Sequence, residues 1–108
     1  MTLHHPPVEQ IQLEDVLAAL GHPVRMQILR TLAEAGECPC NAVPLDISKS
    51  TATHHWRVLR EAGVIRQRPS GRTVLITLRR DDLEARFPGL LGIVLGACAP
   101  SATLAKSR

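Results

Sequence analysis

Apolar positions along this chain recur with a helical period over most of its length and switch once to a period of two. Leu13, Val16, Leu17 and Leu20 stand at i, i+3, i+4 and i+7, the spacing that lines one stripe of a helix. Gly21 ends that helix. Pro23 suits the first turn of a second helix, where its missing N–H costs nothing. Val24, Ile28, Leu29 and Leu32 carry the second stripe, and Gly36 closes it. Pro39 and Pro44 interrupt residues 37–47 and leave room for at most one short helical turn. Ser48 then fits as the N-cap of a third clear helix over 48–62. Ala52, Trp56, Leu59 and Gly63 share one face of it, and Lys49, Ser50, Thr53, His54 and Arg57 occupy the other.

From Val64 and Ile65 onward the pattern changes. A strand runs to Arg68, Ser70-Gly71 is a tight-turn signal, and Val74, Ile76 and Leu78 alternate with Thr73, Leu75, Thr77 and Arg79 as a second strand. Two strands around a short turn make a hairpin, its tip flanked by Arg68 and Arg72. Asp81 with Glu84 three residues later predicts a capped last helix. Its stripe is Leu83, Phe87, Leu90, Leu91 and Val94, and Pro88-Gly89 should kink or split it. The predicted fold is mainly α with a small β-hairpin: a single-domain winged helix-turn-helix in the order α-α-α-α-β-β-α. Residues 1–8 read as a flexible tail, 9–97 as the winged-helix domain, and 98–108 as a second flexible tail.

The chain has 108 residues, 44% of them hydrophobic, enough for one core. With one Phe, one Trp and no Tyr, that core must be built from Leu, Ile, Val and Ala. No apolar run approaches the roughly 20 residues of a membrane helix. The start, His4-His5-Pro6-Pro7, has none of the marks of a secretory signal. The expected location is the cytoplasm, where three cysteines at 38, 40 and 98 do not build a disulfide framework.

Charge sharpens the picture. Of 13 Lys and Arg, eight fall within 49–80: Lys49, Arg57, Arg60, Arg66, Arg68, Arg72, Arg79 and Arg80. Glu61 is the only acid among them, so the frame around this basic middle is acidic. That distribution is the footprint of a polyanion-binding surface, or else of a solvated basic face. A slim helix with short hydroxyls, a His and an Arg on its outer face suits the major groove, where Arg pairs bidentately with guanine and Ser or Thr reach bases or phosphates. The candidate DNA contacts are Lys49, Ser50, Thr51, Thr53, His54 and Arg57 on the helix and Arg68 and Arg72 on the wing. A protein-interaction winged helix would ordinarily lose such a basic face. An enzyme finds no support: there is no nucleophile–base–orienter set, phosphate loop or Cys-x-x-Cys site on a βαβ scaffold.

Three stretches resemble the ArsR/SmtB family: Leu20-Gly21-His22-Pro23-Val24-Arg25 through Leu29, Ser50-Thr51-Ala52-Thr53-His54-His55-Trp56, and Leu59-Arg60-Glu61-Ala62-Gly63-Val64-Ile65. Gly71-Arg72 at the wing tip also matches. The resemblance spans residues 10–97 and implies a homodimer joined by its first and last helices, bound to a palindromic operator on double-stranded DNA. The chain departs from the family at Trp56, where Leu or Phe is usual, and in its shortened, proline-rich 37–47 segment.

Four expectations concern smaller chemistry. His54 and His55 point about 100° apart on a helix, so His54 should face DNA and His55 should support it from a half-buried position. The resemblance places Cys38 and Cys40 near the family's Cys-x-Cys metal site; a thiol-based redox or persulfide response with Cys98 is the alternative. The last helix lacks the family's zinc ligands, since 81–97 contains no His. With Met1 removed, Thr2-Leu3-His4 could offer Ni(II) a square-planar cage of amine, amides and imidazole, with His5 axial; Cu(II) and Zn(II) are alternatives.

Overall fold

In a computed structural model, which describes residues 3–97, the helical and strand periods fall where the pattern puts them. The elements are α1 (Leu13–Leu20), α2 (Pro23–Ala35), β1 (Cys38–Pro39), α3 (Lys49–Ala62), β2 (Ile65–Ser70), β3 (Thr73–Leu78), α4 (Arg80–Arg86) and α5 (Leu90–Ala97). Single 3-10 turns lie at Val8–Gln10 and Cys40–Ala42. Among the described residues no helix is long and apolar enough to cross a membrane.

Local chemistry sets the helix ends. The His22 ring accepts a hydrogen bond from the Val24 N–H at 3.1 Å, and Pro23 takes the first position of α2. The Ser48 hydroxyl accepts from the Thr51 N–H at 3.2 Å, satisfying one of the four orphan donors at the start of α3. Gly63 closes α3 in the left-handed region, φ 90°, with its N–H bonded back into the last turn.

The core joins all layers. Val16 and Leu20 of α1, Ile28, Leu29 and Leu32 of α2, and Trp56 and Leu59 of α3 are buried together with Ile65, Ile76, Leu83 and Leu91. The α1 stripe divides, however. Val16 and Leu20 turn inward, whereas Leu13 and Leu17 are 40% and 49% exposed.

Several expectations need correction. The hairpin is part of a three-stranded antiparallel sheet of order β1-β3-β2, with Cys38 opposite Ile76 and Pro39 opposite Leu75. A two-residue strand has no alternation to betray it. The pair Ser70–Thr73 closes the hairpin, so Arg72 sits in the turn itself beside Gly71, whose φ is 62°. The last helix is split in two at Pro88-Gly89, as that pair predicts. Asp81 does not cap it: α4 starts at Arg80, and the Glu84 carboxylate instead accepts from the Gly89 N–H.

The amino-terminal segment, read as a free tail, lies along the body. Arg60 donates to the His4 carbonyl, the Gln67 N–H donates to His5 Nε2 at 3.0 Å, and Arg79 donates to the Pro6 carbonyl at 2.8 Å. The segment has no periodic signal of its own; arginines of the body satisfy its backbone acceptors. It also covers β2, an edge strand whose outward N–H would otherwise be open to pairing. The 98–108 tail lies outside the described residues.

Candidate DNA-binding face

The candidate face is built on α3, which is held from below. Trp56 and Leu59 anchor it in the core, Ser48 caps it, and Gly63 ends it against Ile11. Facing away are Lys49, Ser50, Thr51, Thr53, His54 and Arg57, all exposed. Ser50, Thr53, His54 and Arg57 line one shallow depression. The Thr53 hydroxyl donates to the Lys49 carbonyl at 2.9 Å. Thr51 is partly committed elsewhere, since its hydroxyl accepts from Ser48 Oγ at 2.8 Å as part of the cap.

The basic stretch divides in two. Lys49, Arg57 and Arg72 are exposed and make no ion pair with another described residue. The exposed Arg68 pairs with Glu37 at 3.1 Å. Such a surface pair is weak, and a phosphate can replace the carboxylate. The other four arginines do structural work. Arg79 is buried against Asp82, Arg66 reaches the same carboxylate, Arg60 donates to Gln67 Oε1 at 2.6 Å, and Arg80 reaches the Ala33 carbonyl. Charge counting along the chain cannot separate these groups, because it does not see which arginines find partners.

His54 is exposed, as the helical angle requires, but His55 is buried at 4% exposure rather than half-buried. Its Nδ1 lies 3.1 Å from Arg25 Nη1, and its ring centroid is 4.6 Å from that of His22. Burial foremost, with His22, Arg25 and His54 nearby, pushes the His55 pKa below the ordinary histidine value. Neither the burial of His55 nor the His22 cap carries a local sequence signal beyond the adjacent histidines themselves.

The described members of the proposed metal-ligand set, His4, His5, Cys38 and Cys40, do not form one cluster. Among the described residues, no three His, Cys, Asp or Glu gather in a metal-holding group. His5 spends Nε2 as an acceptor for Gln67, which removes that atom as an axial ligand. His4 is exposed, but Thr2 lies outside the described residues. Cys38 and Cys40 are free and half-buried, and burial, then Cys40, pushes the Cys38 thiol up, away from the thiolate that binds metals or oxidants. Cys98 lies outside the described residues.

Comparison with known proteins agrees with this geometry. A helix-turn-helix domain model matches residues 20–68. The HTH-type transcriptional regulator YceK of Bacillus subtilis is 37% identical over 86 residues, covering 77% of this chain and 85% of that protein. A transcriptional repressor SmtB homolog of Synechocystis is 31% identical over 68 residues, 62% of this chain and 52% of that one. Among solved structures, an ArsR-like transcriptional regulator from Rhodococcus superposes with a TM-score of 0.59 at 26% identity, over 75% of this chain and 79% of that chain. The capped and buried α3, the wing beside it and these relatives lead to one conclusion: the chain belongs to the ArsR/SmtB family of winged-helix DNA-binding transcriptional regulators, which are not enzymes.

Proposed function

We propose that this regulator reads a palindromic operator as a homodimer, laying the outer face of α3 in the major groove and the β2–β3 wing against the adjacent backbone. The carrying observation is the gathering of Ser50, Thr53, His54 and Arg57 in one exposed depression, with Lys49 on the same side of the helix. Arg57 supplies the bidentate donor for a guanine edge, and the hydroxyls reach neighbouring bases or phosphates. Arg72 at the wing tip and Arg68, once it exchanges Glu37 for a phosphate, supply attraction indifferent to sequence. Arg57→Ala should weaken binding to a selected duplex by about 1–3 kcal/mol and relax base preference at one position. Arg72→Ala should weaken all duplexes alike and flatten the salt dependence by about one unit of slope. Titrations at several salt concentrations measure both; an Arg57 variant that binds like the parent overturns the assignment of the reading face.

The dimer reading rests on apolar side chains that the fold leaves outside. Leu13 and Leu17 on α1 are exposed, and Ile93 on α5 is 75% exposed. A second copy of the chain covering such helices would form a self-complementary, two-fold interface and set the two α3 helices at a fixed spacing. Light scattering of the full chain at tens of micromolar should give twice the chain mass, and Leu17→Asp with Ile93→Asp should halve it. A parent that runs as a monomer contradicts this reading.

A further inference from the structure

We propose that Arg25 and His55 form a positioning pair that sets the recognition helix on the domain, and that DNA is bound with His55 neutral. The proposal rests on the reading of α3 as the DNA-contacting helix and adds the device that aims it.

The geometry ties three helices through one guanidinium. Arg25 stands on α2 and donates through Nε to the Ala19 carbonyl in the last turn of α1. There a cation is favoured by the carbonyl end of the helix. The other arm of the same guanidinium meets His55 Nδ1 on α3 at 3.1 Å. A guanidinium has only donors, so Nδ1 must offer a lone pair and the ring proton must sit on Nε2. The pair therefore specifies both the charge and the tautomer of a buried ring one residue from the exposed His54.

Every charged or titratable neighbour on the packed elements bears on that choice. From α2 and its N-cap, Arg25 and His22 press on the ring, and His22 is held in place because its Nδ1 accepts from the Val24 N–H. From α3, His54 lies with its ring centroid 5.5 Å away. Asp15 of α1 and Glu61 of α3 line the groove that contains Arg25, but no described carboxylate is hydrogen-bonded to His55. A proton on Nδ1 would set donor against donor and cation against cation. The neutral ring keeps α3 docked on α2 and, through Ala19, on the end of α1, the helix whose outward leucines are exposed. Acid should therefore loosen the aim of α3.

The test uses the full chain and a duplex selected by the parent from a randomised pool. Binding is measured between about pH 7.5 and about pH 5, a window that spans ordinary histidine titration. His55→Ala and Arg25→Ala should each weaken binding about tenfold at neutral pH, as expected for a lost hydrogen bond to a charged group, and the double variant should lose little more. His55→Asn restores an acceptor near the position of Nδ1 that cannot take a proton. It should bind within about threefold of the parent, because the acceptor is kept, and should not weaken on acidification. Nitrogen chemical shifts of His55 in the parent should show Nδ1 unprotonated. The proposal is overturned if His55→Asn loses binding in acid as the parent does, or if His55→Ala and Arg25→Ala bind like the parent; loss of binding by Arg57→Ala in the same experiment would leave the reading face standing. Should Arg57→Ala instead bind like the parent, the reading of α3 fails and this inference falls with it.

Discussion

Gly63→Ala is expected to lower the unfolding free energy by about 2–4 kcal/mol, through a strained backbone and an overpacked contact acting at one position. Gly63 ends α3 at φ 90°, where an L side chain meets its own carbonyl. A Cβ built there lies 2.6 Å from Ile11 Cγ1 and 2.8 Å from Cδ1. Ile11 is 1% exposed and cannot swing away. For a domain of this size the loss corresponds to a fall in Tm of about 10 °C or more. Gly36 is the control: its φ is 75°, yet nothing lies within 4 Å of the added Cβ, so Gly36→Ala carries the backbone strain alone. Thermal and urea unfolding of both variants decides the matter. Equal losses at the two positions would mean that Ile11 yields and that the close approach of the amino-terminal segment to α3 carries no cost.

Arg79→Ala should cost about 2–3 kcal/mol and free the amino-terminal segment. The Arg79 side chain is 4% exposed, pairs with Asp82 at 2.9 Å and donates to the Pro6 carbonyl. Its removal leaves the Pro6 acceptor without its donor. The loss stays below that of a fully buried ion pair, because Asp82 is 31% exposed and keeps Arg66. Amide exchange should rise at His4, His5, Val8 and Gln67, and should change least at the α2 core amides. Unchanged exchange at Gln67 would show that the segment holds without this clasp.

Acid should work on the same segment through His5. Burial first, then Arg66, Arg79 and Arg60, holds the His5 pKa below its ordinary value of 6.5. The docked ring thus resists a proton that the released ring accepts. Above pH 6.5 both forms are neutral and docking is independent of pH; as pH falls below that value docking weakens, until the docked ring itself titrates. His5→Ala should remove that slope from the Gln67 amide while leaving the acid response of DNA binding through His55 in place.

The amphipathic stripes, glycine stops, Ser48 cap and turn glycine are local signals, each complete within a few residues. They therefore placed the helices, the hairpin and the outward set Lys49, Ser50, Thr53, His54 and Arg57 correctly. What the chain pattern could not reveal depends on partners far apart in sequence. Cys38 joins β3 through Ile76, Arg79 reaches Pro6 across 73 positions, and Arg25 meets His55 across 30. Hydrogen bonds over such separations have no period and no preferred neighbour type; they exist only once the core has brought the helices together. For the same reason the eight basic residues of 49–80 looked alike as charges, and only packing sorted them. The buried Arg79 and the clasped Arg60 hold the fold, and Lys49, Arg57 and Arg72 stay exposed with no ion pair to another described residue.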